Sequence, residues 1–301
     1  MPVELSVVAP LLNEEENVYE LYNRISMVLR NLAGSYEIIL VDDGSSDRTL
    51  PAIEKIASED SSVKYISFSR NFGHQLALFA GLEKCSGNRI VLIDGDLQDP
   101  PEAIEQLWNK MNEGYDAVYA KRTTRKGESF LKKLTAAVFY RLLNKMTSVN
   151  IPVDTGDFRI IDRKVAAELL RMNDHTKFLR GQIAWLGFKE SFITYEREQR
   201  KKGNTNFGYA SMLRFAFDGI TGFSNFPLKF ASISGIFVSL LSFILIIYVL
   251  LAKLVWGLTI SGWSSIMVTV LFLGGIQLLS VGIIGEYISR INDAVRNRQL
   301  Y

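Results

Sequence analysis

The chain has 301 residues, of which 48% are hydrophobic, and its formal net charge is +2 at pH 7. So small a positive excess gives no basis for nucleic-acid binding, and the single cysteine, Cys85, excludes an intramolecular disulfide and a cysteine-rich zinc site. Charged residues occur throughout the chain up to about Asn225 and nearly vanish from Phe226 to Ile288. This asymmetry predicts a soluble domain followed by a membrane segment.

The N-terminal region predicts alternating strands and helices. Short runs rich in Val and Ile are typical of buried strands, and the amphipathic stretches between them are typical of helices. We predict strands at Leu5–Pro10, Glu37–Val41, Lys64–Ser69, Arg89–Ile93 and Ala117–Lys121, with helices at Glu16–Leu32, Arg48–Ser58, Gln75–Lys84 and Pro101–Glu113. Such alternation favours an α/β fold with a mostly parallel sheet, which binds ligands at the carboxyl ends of its strands.

Two later amphipathic stretches are candidates for the membrane surface. Residues 128–146 carry Leu on one side and Lys or Arg on another, and residues 206–223 are rich in Phe and Tyr. Basic amphipathic helices bind anionic membrane surfaces, but helices packed on a domain core show the same pattern. We expect interface helices, and for the second stretch this interpretation is favoured over core packing.

Two apolar segments predict a transmembrane hairpin at about residues 230–252 and 263–286. Each exceeds the roughly 20 residues that a helix needs to cross a bilayer. Lys229 precedes the first segment, and Arg290, Arg296 and Arg298 follow the second. The positive-inside rule therefore places both ends, the domain of residues 1–225 and a tail of residues 289–301, in the cytoplasm. The N-terminal run lacks the basic region of a signal peptide, which agrees with this expectation.

Small residues in the second segment suggest self-association. Gly274, Gly275 and Gly282 would let another helix approach closely. We therefore expect a homo-oligomer in the plasma membrane.

Polar residues follow every predicted strand, and two of these clusters are acidic. Asp94-Gly95-Asp96 comes directly after the fourth strand, and Asp42-Asp43 after the second. Neighbouring carboxylates repel one another unless a cation or a ligand donor lies between them. Asp94 and Asp96, with the neutral oxygen of Gln98, match the oxygen ligands of Mg²⁺ or Mn²⁺, which would neutralise a diphosphate leaving group.

The first two strand ends and the Asp-Gly-Asp element together form the expected donor site, where a nucleotide with a diphosphate leaving group would bind. Asp42 is assigned to a ligand, because a carboxylate beyond a strand can bind ribose hydroxyls or a base N–H, and Asp47 is assigned to capping of the next helix. No dinucleotide-binding or P-loop glycine motif is present, which argues against a dehydrogenase or a P-loop ATPase. The donor-binding candidates are Pro10, Leu11, Asn13, Glu14, Asp42, Asp94, Gly95 and Asp96.

The motifs PLLNEEEN, VDDGSSD, DGDLQDPPE and DTGDFR, followed by an apolar hairpin, resemble the family 2 (GT-A fold) glycosyltransferases. Within that family the chain looks like the polyprenyl-phosphate glycosyltransferases, namely the GtrB-type bactoprenol glucosyltransferases and dolichol-phosphate mannose synthase. The resemblance spans essentially the whole chain. It implies a nucleotide sugar as donor and a lipid phosphate as acceptor.

The resemblance also implies roles for particular residues. Asp42 would bind the nucleotide, and Asp94, Asp96 and Gln98 would hold the metal and the donor phosphates. Asp157 would lie beside the reacting centre, so that Asp157 and Asp96 are the catalytic candidates. The acceptor phosphate would be bound by Arg122, Arg159, Arg200, Lys201 and Lys202.

The implied reaction is a single displacement that inverts the anomeric carbon. The acceptor is a phosphate monoester with a second pKa near 6, so it is largely a dianion at neutral pH and needs little help from a base. We therefore expect Asp157 to orient the acceptor or to take a residual proton. His74 and His175 are scattered in the sequence, and neither is predicted to bind metal.

Several alternatives remain open from the sequence. The preferred donor is UDP-glucose, by resemblance only, and another UDP-sugar or GDP-mannose is the alternative. A processive polysaccharide synthase is disfavoured, because Gln182-Ile183-Ala184-Trp185 lacks the Arg of the motif that those enzymes use and two spans make a poor polymer channel. A protein-glycan transferase, a non-membrane family 2 enzyme and a membrane-tethered nucleotide-binding protein without turnover are the remaining possibilities.

Overall fold

A computed structural model describes residues 2–123, 155–172, 174, 177–196, 226–256, 262–296 and 301. The expected interface helices at 128–146 and 206–223, and the basic residues Arg200, Lys201 and Lys202, lie outside these ranges. In chain order the elements are β1 (Leu5–Leu11), α1 (Val18–Leu32), β2 (Tyr36–Asp42), α2 (Thr49–Glu59), β3 (Val63–Ser67), α3 (His74–Lys84), β4 (Arg89–Leu92), α4 (Ala103–Met111), β5 (Ala117–Arg122), β6 (Thr155–Asp162), α5 (Arg163–Arg171), α6 (Leu179–Leu186), β7 (Glu190–Tyr195), α7 (Phe226–Trp256) and α8 (Trp263–Arg296).

The strands of the described residues form one seven-stranded sheet in the order β3-β2-β1-β4-β6-β5-β7. β1 pairs in parallel with β2 and β4, and β2 pairs in parallel with β3. β6 is antiparallel to both of its neighbours, β4 and β5, and β5 is parallel to β7. The sheet is thus mostly parallel, as predicted, and β6 alone among its strands runs the other way.

The reversed direction of β6 determines what meets at the edge of the sheet. The carboxyl ends of the six parallel strands share one edge, and the amino end of β6 lies at that same edge. In the register of β4 and β6, Leu92 pairs with Arg159. Two residues beyond that pair, Asp94 lies opposite Asp157. The motifs that contain these two residues, 94 and 157, are therefore close in space although they are far apart in the chain.

The sheet is buried on both faces, which explains its nearly continuous apolar strands. Helices α1, α2 and α4 pack on one face, and their buried side chains include Leu21, Ile53 and Leu107. Helices α3, α5 and α6 pack on the other face, through side chains such as Leu78 and Val165. This three-layer arrangement leaves the strand ends, rather than the faces, for binding.

The C-terminal helices α7 and α8 are long and apolar. Within them, Phe226–Ile244 and Phe272–Arg296 are apolar enough to cross a membrane, and none of either window is buried by the rest of the protein. Both helices extend beyond the predicted spans: α7 starts at Phe226, and α8 continues to Arg296, through most of the segment expected as a tail. Their exposed apolar surface indicates association with a membrane.

Candidate active site

Asp94 and Asp157 face each other at the edge of the sheet, and His74 lies between them. The imidazole Nε2 is 3.2 Å from Oδ1 of Asp94 and 3.3 Å from Oδ2 of Asp157. His74 is the first residue of α3, which enters after a loop held by Asp43. Asp43 accepts backbone N–H groups of Phe72 and Gly73 at 2.8 and 3.0 Å. The backbone that carries the imidazole is therefore held in place next to the two carboxylates.

Asp157 is almost completely enclosed by donors. Its Oδ1 accepts hydrogen bonds from the guanidinium groups of Arg159 at 2.8 Å and Arg180 at 3.0 Å. Its Oδ2 accepts one from the Gln75 side-chain amide at 2.9 Å, in addition to the contact with His74. With only 5% of the residue exposed, the carboxylate has little room for a further ligand.

These surroundings keep both carboxylates ionised. Burial raises the pKa of Asp157, but Arg180, His74 and Arg159 outweigh it and hold that pKa well below its ordinary value. Burial likewise raises the pKa of Asp94, and His74 reverses the effect, so that the pKa is lowered. Burial lowers the pKa of His74, but the facing carboxylates raise it to about 10. So acidic an Asp157 is a poor general base, which favours an orienting role over proton transfer.

The chemistry of the donor set fits a divalent cation, and Asp94 is its best-placed ligand. Single ligand atoms of His74, Asp94 and Asp157 all lie within 4.8 Å of one another. Asp157 is already occupied by two arginines and an amide. Oδ1 of Asp94, in contrast, is buried and makes no well-directed hydrogen bond within the described part of the chain. A carboxylate oxygen in that state is suited to a hard cation.

Asp96 and Gln98 lie in the loop that leaves this position. Oδ1 of Asp96 accepts the backbone N–H of Gln98 at 3.1 Å, which makes a local turn, and Leu97 between them has a positive φ of 58°. The predicted metal set of Asp94, Asp96 and Gln98 is therefore contiguous with the observed carboxylate pair. Asp96 is not part of the group formed by His74, Asp94 and Asp157.

Gly95 is required by the close approach of this loop to the end of β1. A Cβ at residue 95 would lie 2.5 Å from Cδ2 of Leu11 and 2.6 Å from the carbonyl oxygen of Pro10. Because that oxygen belongs to the backbone, a larger residue would displace the loop. This contact brings Pro10, Leu11 and Gly95, all predicted to contact the donor, to one place.

Hydrogen bonds that involve polar side chains join the loops after β1 and β2. Oδ1 of Asn13 accepts the Ser46 N–H at 2.8 Å, and the Glu14 N–H donates to the Thr49 hydroxyl at 2.8 Å. The predicted cap, Asp47, accepts the N–H of Thr49, the first residue of α2, at 2.9 Å, although the N-cap position itself is Arg48. Asn13 and Glu14 thus shape the donor loops through contacts within the protein.

Asp42 lies at the end of β2, and only 1% of the residue is exposed. Among the described residues, its two oxygens accept only long hydrogen bonds from the Ser45 N–H, at 3.3 and 3.4 Å. A carboxylate has about four acceptor positions, so Asp42 retains capacity for a ligand that reaches it. The structure places it two strands away from Asp94, across β1.

The predicted acceptor residues separate in the structure. Arg122 ends β5, and its side chain is 26% exposed. Arg159 is fully buried and donates to Asp157 and to the Gly156 carbonyl at 3.0 Å. The expected contact of Arg159 with the acceptor phosphate is therefore corrected here: the guanidinium supports Asp157 from below and does not reach solvent.

Sequence reasoning missed His74, Gln75 and Arg180 as members of the site. His74 was predicted to have no metal-binding role, yet it touches both central carboxylates. Gln75 links two elements, because its carbonyl also accepts the Leu179 N–H at 3.2 Å at the start of α6. No local pattern marks these residues; only the reversed direction of β6 brings their partner, Asp157, to this edge.

The comparisons with known proteins agree with this arrangement. The model of the family described as "Glycosyl transferase family 2" matches residues 6–170. The chain is 48% identical to the glycosyltransferase YkcC of Bacillus subtilis, over 99% of this chain and 93% of that protein. It is 38% identical to a bactoprenol glucosyl transferase of Shigella phage SfV, over 99% of this chain and 97% of that protein.

Among solved structures, the fold resembles glucosyl-3-phosphoglycerate synthase from Mycobacterium tuberculosis, which was crystallised with Mn²⁺, UDP-glucose and phosphoglyceric acid. The TM-score is 0.51 at 21% identity, and the match covers 73% of this chain and 79% of that one, which supports the fold alone. The family match and the full-length relatives show the enzyme class. The chain belongs to glycosyltransferase family 2 and has the α/β fold of its GT-A members.

Proposed function

We propose that this protein transfers a sugar, glucose in the first instance, from UDP to undecaprenyl or another polyprenyl phosphate, with inversion at the anomeric carbon. The observation that carries the proposal is the 38% identity to bactoprenol glucosyl transferases over 99% of the chain, because that similarity extends through both apolar helices. A lipid acceptor explains why a sugar-transferring domain is followed by helices that can cross a membrane.

The site supports the proposal by its charge arrangement. A nucleotide diphosphate and a lipid phosphate are both anions, so the site must offset negative charge where the two meet. A divalent cation held at Asp94, with Asp96 and Gln98 as further ligands, would neutralise the diphosphate as it leaves. Among the described residues, the cations at this edge include Arg122, Arg180 and His74.

Asp157 has an orienting role in this proposal. The acceptor phosphate is already largely a dianion at neutral pH, so the attack requires alignment more than proton removal. Asp157 holds His74, Gln75 and Arg180 in one geometry at the reacting edge. Arg122 contacts the acceptor phosphate, with Arg200, Lys201 and Lys202 as further candidates that lie outside the described residues.

The proposed setting is the plasma membrane, with both apolar helices crossing it and the catalytic domain in the cytoplasm. Lys229 lies in the first turn of α7, and Arg290 and Arg296 lie in the last turns of α8. Positive charge at both ends is typical of a hairpin whose ends face the cytoplasm. Gly274, Gly275 and Gly282 suit association of α8 with a second copy.

The test is a product assay with the purified full-length protein in detergent. Undecaprenyl phosphate is incubated with Mg²⁺ or Mn²⁺ and, separately, with UDP-glucose, other UDP-sugars and GDP-mannose, and lipids are identified by mass spectrometry. We expect a lipid-phosphate-hexose from UDP-glucose that disappears with EDTA, and an anomeric configuration opposite to that of the donor by NMR. Product from GDP-mannose alone would replace the donor assignment. No lipid product from any donor, with UDP binding intact, would overturn the proposed acceptor.

A further inference from the structure

The end of β5 carries an arginine that neighbouring strands hold in place. Arg122 is the Cα partner of Tyr195 in the parallel register of β5 and β7. The Arg122 Nε donates to the Tyr195 hydroxyl oxygen at 3.3 Å. Two further bonds fasten the same strand ends, because the N–H and the hydroxyl of Thr123 each donate to the Tyr195 carbonyl at 3.0 Å. The backbone that carries Arg122 is therefore fixed next to its side-chain partner.

Tyr195 is itself fixed by a buried carboxylate. Its hydroxyl donates a short hydrogen bond to Oδ1 of Asp99, a residue with no exposed surface. The same oxygen of Asp99 lies 3.8 Å from the Arg122 guanidinium. The Tyr195 ring packs edge-on against Phe158, with centroids 5.8 Å apart. Asp99, Tyr195 and Arg122 therefore form a clamp, in which the Tyr195 hydroxyl and the Asp99 carboxylate both contact the Arg122 guanidinium.

The clamp aims the guanidinium at the centre of the site. A Cβ on Gly156 would lie 2.9 Å from the terminal nitrogen of Arg122, so the guanidinium rests directly against the residue before Asp157. A register shift between Tyr119 and Lys121 in the pairing of β5 with β6 bends the end of β5 at this point. Bulges of this kind re-aim side chains next to active sites.

We propose that Asp99 and Tyr195 are positioning residues, which hold the Arg122 guanidinium over Gly156 so that it receives the phosphate of the acceptor. The inference rests on the proposed function, because it assigns Arg122 to a lipid phosphate. Its chemical reason is that a free arginine side chain has many conformations and must lose them on binding, whereas a clamped one has already lost them. The buried carboxylate of Asp99 thus contacts a cation whose side chain remains 26% exposed and open to a ligand.

The test compares two tyrosine hydroxyls that each contact an aspartate. Tyr195→Phe removes the hydroxyl of the clamp and keeps the ring against Phe158. Tyr22→Phe is the matched control, because the Tyr22 hydroxyl donates to Asp60 at 2.8 Å on the opposite edge of the sheet. In the full-length protein we measure kcat, the KM for undecaprenyl phosphate, the KM for UDP-glucose and the thermal midpoint of each variant.

We expect Tyr195→Phe to raise the KM for undecaprenyl phosphate about tenfold, which corresponds to the loss of one alignment contact, and to leave the KM for UDP-glucose unchanged. Asp99→Asn should act in the same direction, and Gly156→Ala should do so by displacing the guanidinium. Tyr22→Phe should leave both KM values unchanged. When Arg122→Lys is combined with any of the three clamp variants, the KM for undecaprenyl phosphate should stay raised. The lysine ammonium is a point charge and lacks the planar guanidinium that the clamp holds.

Three results separate the possible failures. If Tyr195→Phe lowers the thermal midpoint while both KM values match the parent, the clamp only ties β5 to β7 and the inference is wrong. The same conclusion follows if the KM for UDP-glucose rises and that for the lipid does not, because Arg122 then serves the donor. If the parent protein makes no lipid product at all, the proposed function is wrong, and the assignment of Arg122 to a lipid phosphate is wrong with it.

Discussion

The two edges of the sheet each bury a carboxylate among several donors, and they use it differently. At the amino edge, Glu37 accepts hydrogen bonds from the hydroxyls of Ser6 and Ser86 at 2.6 and 2.9 Å and pairs with Lys64 at 2.6 Å. At the carboxyl edge, Asp157 has two arginines, an amide and an imidazole. Both have a lowered pKa, so ionisation alone does not distinguish a structural carboxylate from a functional one.

The second carboxylate makes the difference. Glu37 accepts hydrogen bonds from two hydroxyls, a backbone N–H and one lysine, so each of these donors has a partner. Asp157 faces Asp94, whose buried Oδ1 has the His74 imidazole at 3.2 Å but makes no well-directed hydrogen bond within the described residues. A carboxylate such as Glu37, whose partners are all hydrogen-bonded, stabilises the fold. Two facing carboxylates with an acceptor position left over can bind a further cationic ligand. A substitution at one edge should therefore leave the property that depends on the other edge unchanged.

The largest effect is expected for Asp94→Asn. Removing the charge that is best placed for a cation should lower kcat by about a thousandfold, which equals roughly 4 kcal/mol of transition-state stabilisation. Stability should fall modestly rather than rise, because the amide loses the attraction to His74 that lowers the pKa of Asp94, and relief of the repulsion from Asp157 offsets only part of that loss. Product formation and thermal unfolding in detergent measure the two effects. Near-parental turnover would remove Asp94 from the metal site.

Glu37→Gln should give the reverse pattern. The substitution keeps the shape of the side chain and removes its charge, and the pKa of Glu37 falls from 4.5 to about 2 on folding. The free energy of unfolding should therefore drop by about 3 kcal/mol at pH 7, which would lower Tm by roughly 6–10 °C. Turnover of the folded variant at low temperature should match that of the parent. A large loss of kcat there would mean that the two edges are not separate.

The pH dependence of stability sharpens the same contrast. Burial raises the pKa of Glu37, but Lys64, Ser6 and Ser86 outweigh it and lower it to about 2, so its contribution is complete above pH 4.5 and is lost as the pH falls toward 2. The stability difference between the parent and Glu37→Gln should shrink from about 3 kcal/mol at pH 7 to roughly 1.5 kcal/mol at pH 3. Chemical denaturation at each pH measures it. A difference that stays constant with pH would show that the charge of Glu37 is not responsible.

Gln75→Ala should have the smallest effect of the four. It removes the amide that joins Asp157 to the start of α6 and leaves both arginines in place. We expect kcat to fall about tenfold from misalignment of the site, with little change in Tm. Gln106→Ala is the matched control, because Gln106 is exposed on α4 and should be neutral. Equal activity of the two variants would show that Gln75 does not align Asp157.

Much of the fold follows from local patterns in the chain. The apolar runs around Val7, Ile39 and Val91 predict buried parallel strands, and the structure has them within a residue or two of the predicted bounds. The motif that contains Asp94 is placed correctly at a strand end for the same reason. The apolar helices are also predicted, although their bounds are longer than the spans that a bilayer requires.

The rest of the site depends on long-range pairing. β6 was not predicted, and its direction decides that Asp157 meets Asp94 and that Arg159 lies beneath it in the core. The role of His74 depends on the same strand, since one of its two partners lies on β6. A sequence fixes such pairings through the whole packed sheet, so a pattern read over a few residues cannot supply them.

The most direct test of the distinction between the edges is a structure of the full-length protein with Mn²⁺ and UDP. We predict Mn²⁺ bound to a carboxylate oxygen of Asp94, with Asp157 still bonded to Arg159 and Arg180, and with Glu37 unchanged at the opposite edge. Mn²⁺ bound elsewhere while Asp94 keeps its contact with His74, or nucleotide bound away from the carboxyl edge, would contradict it.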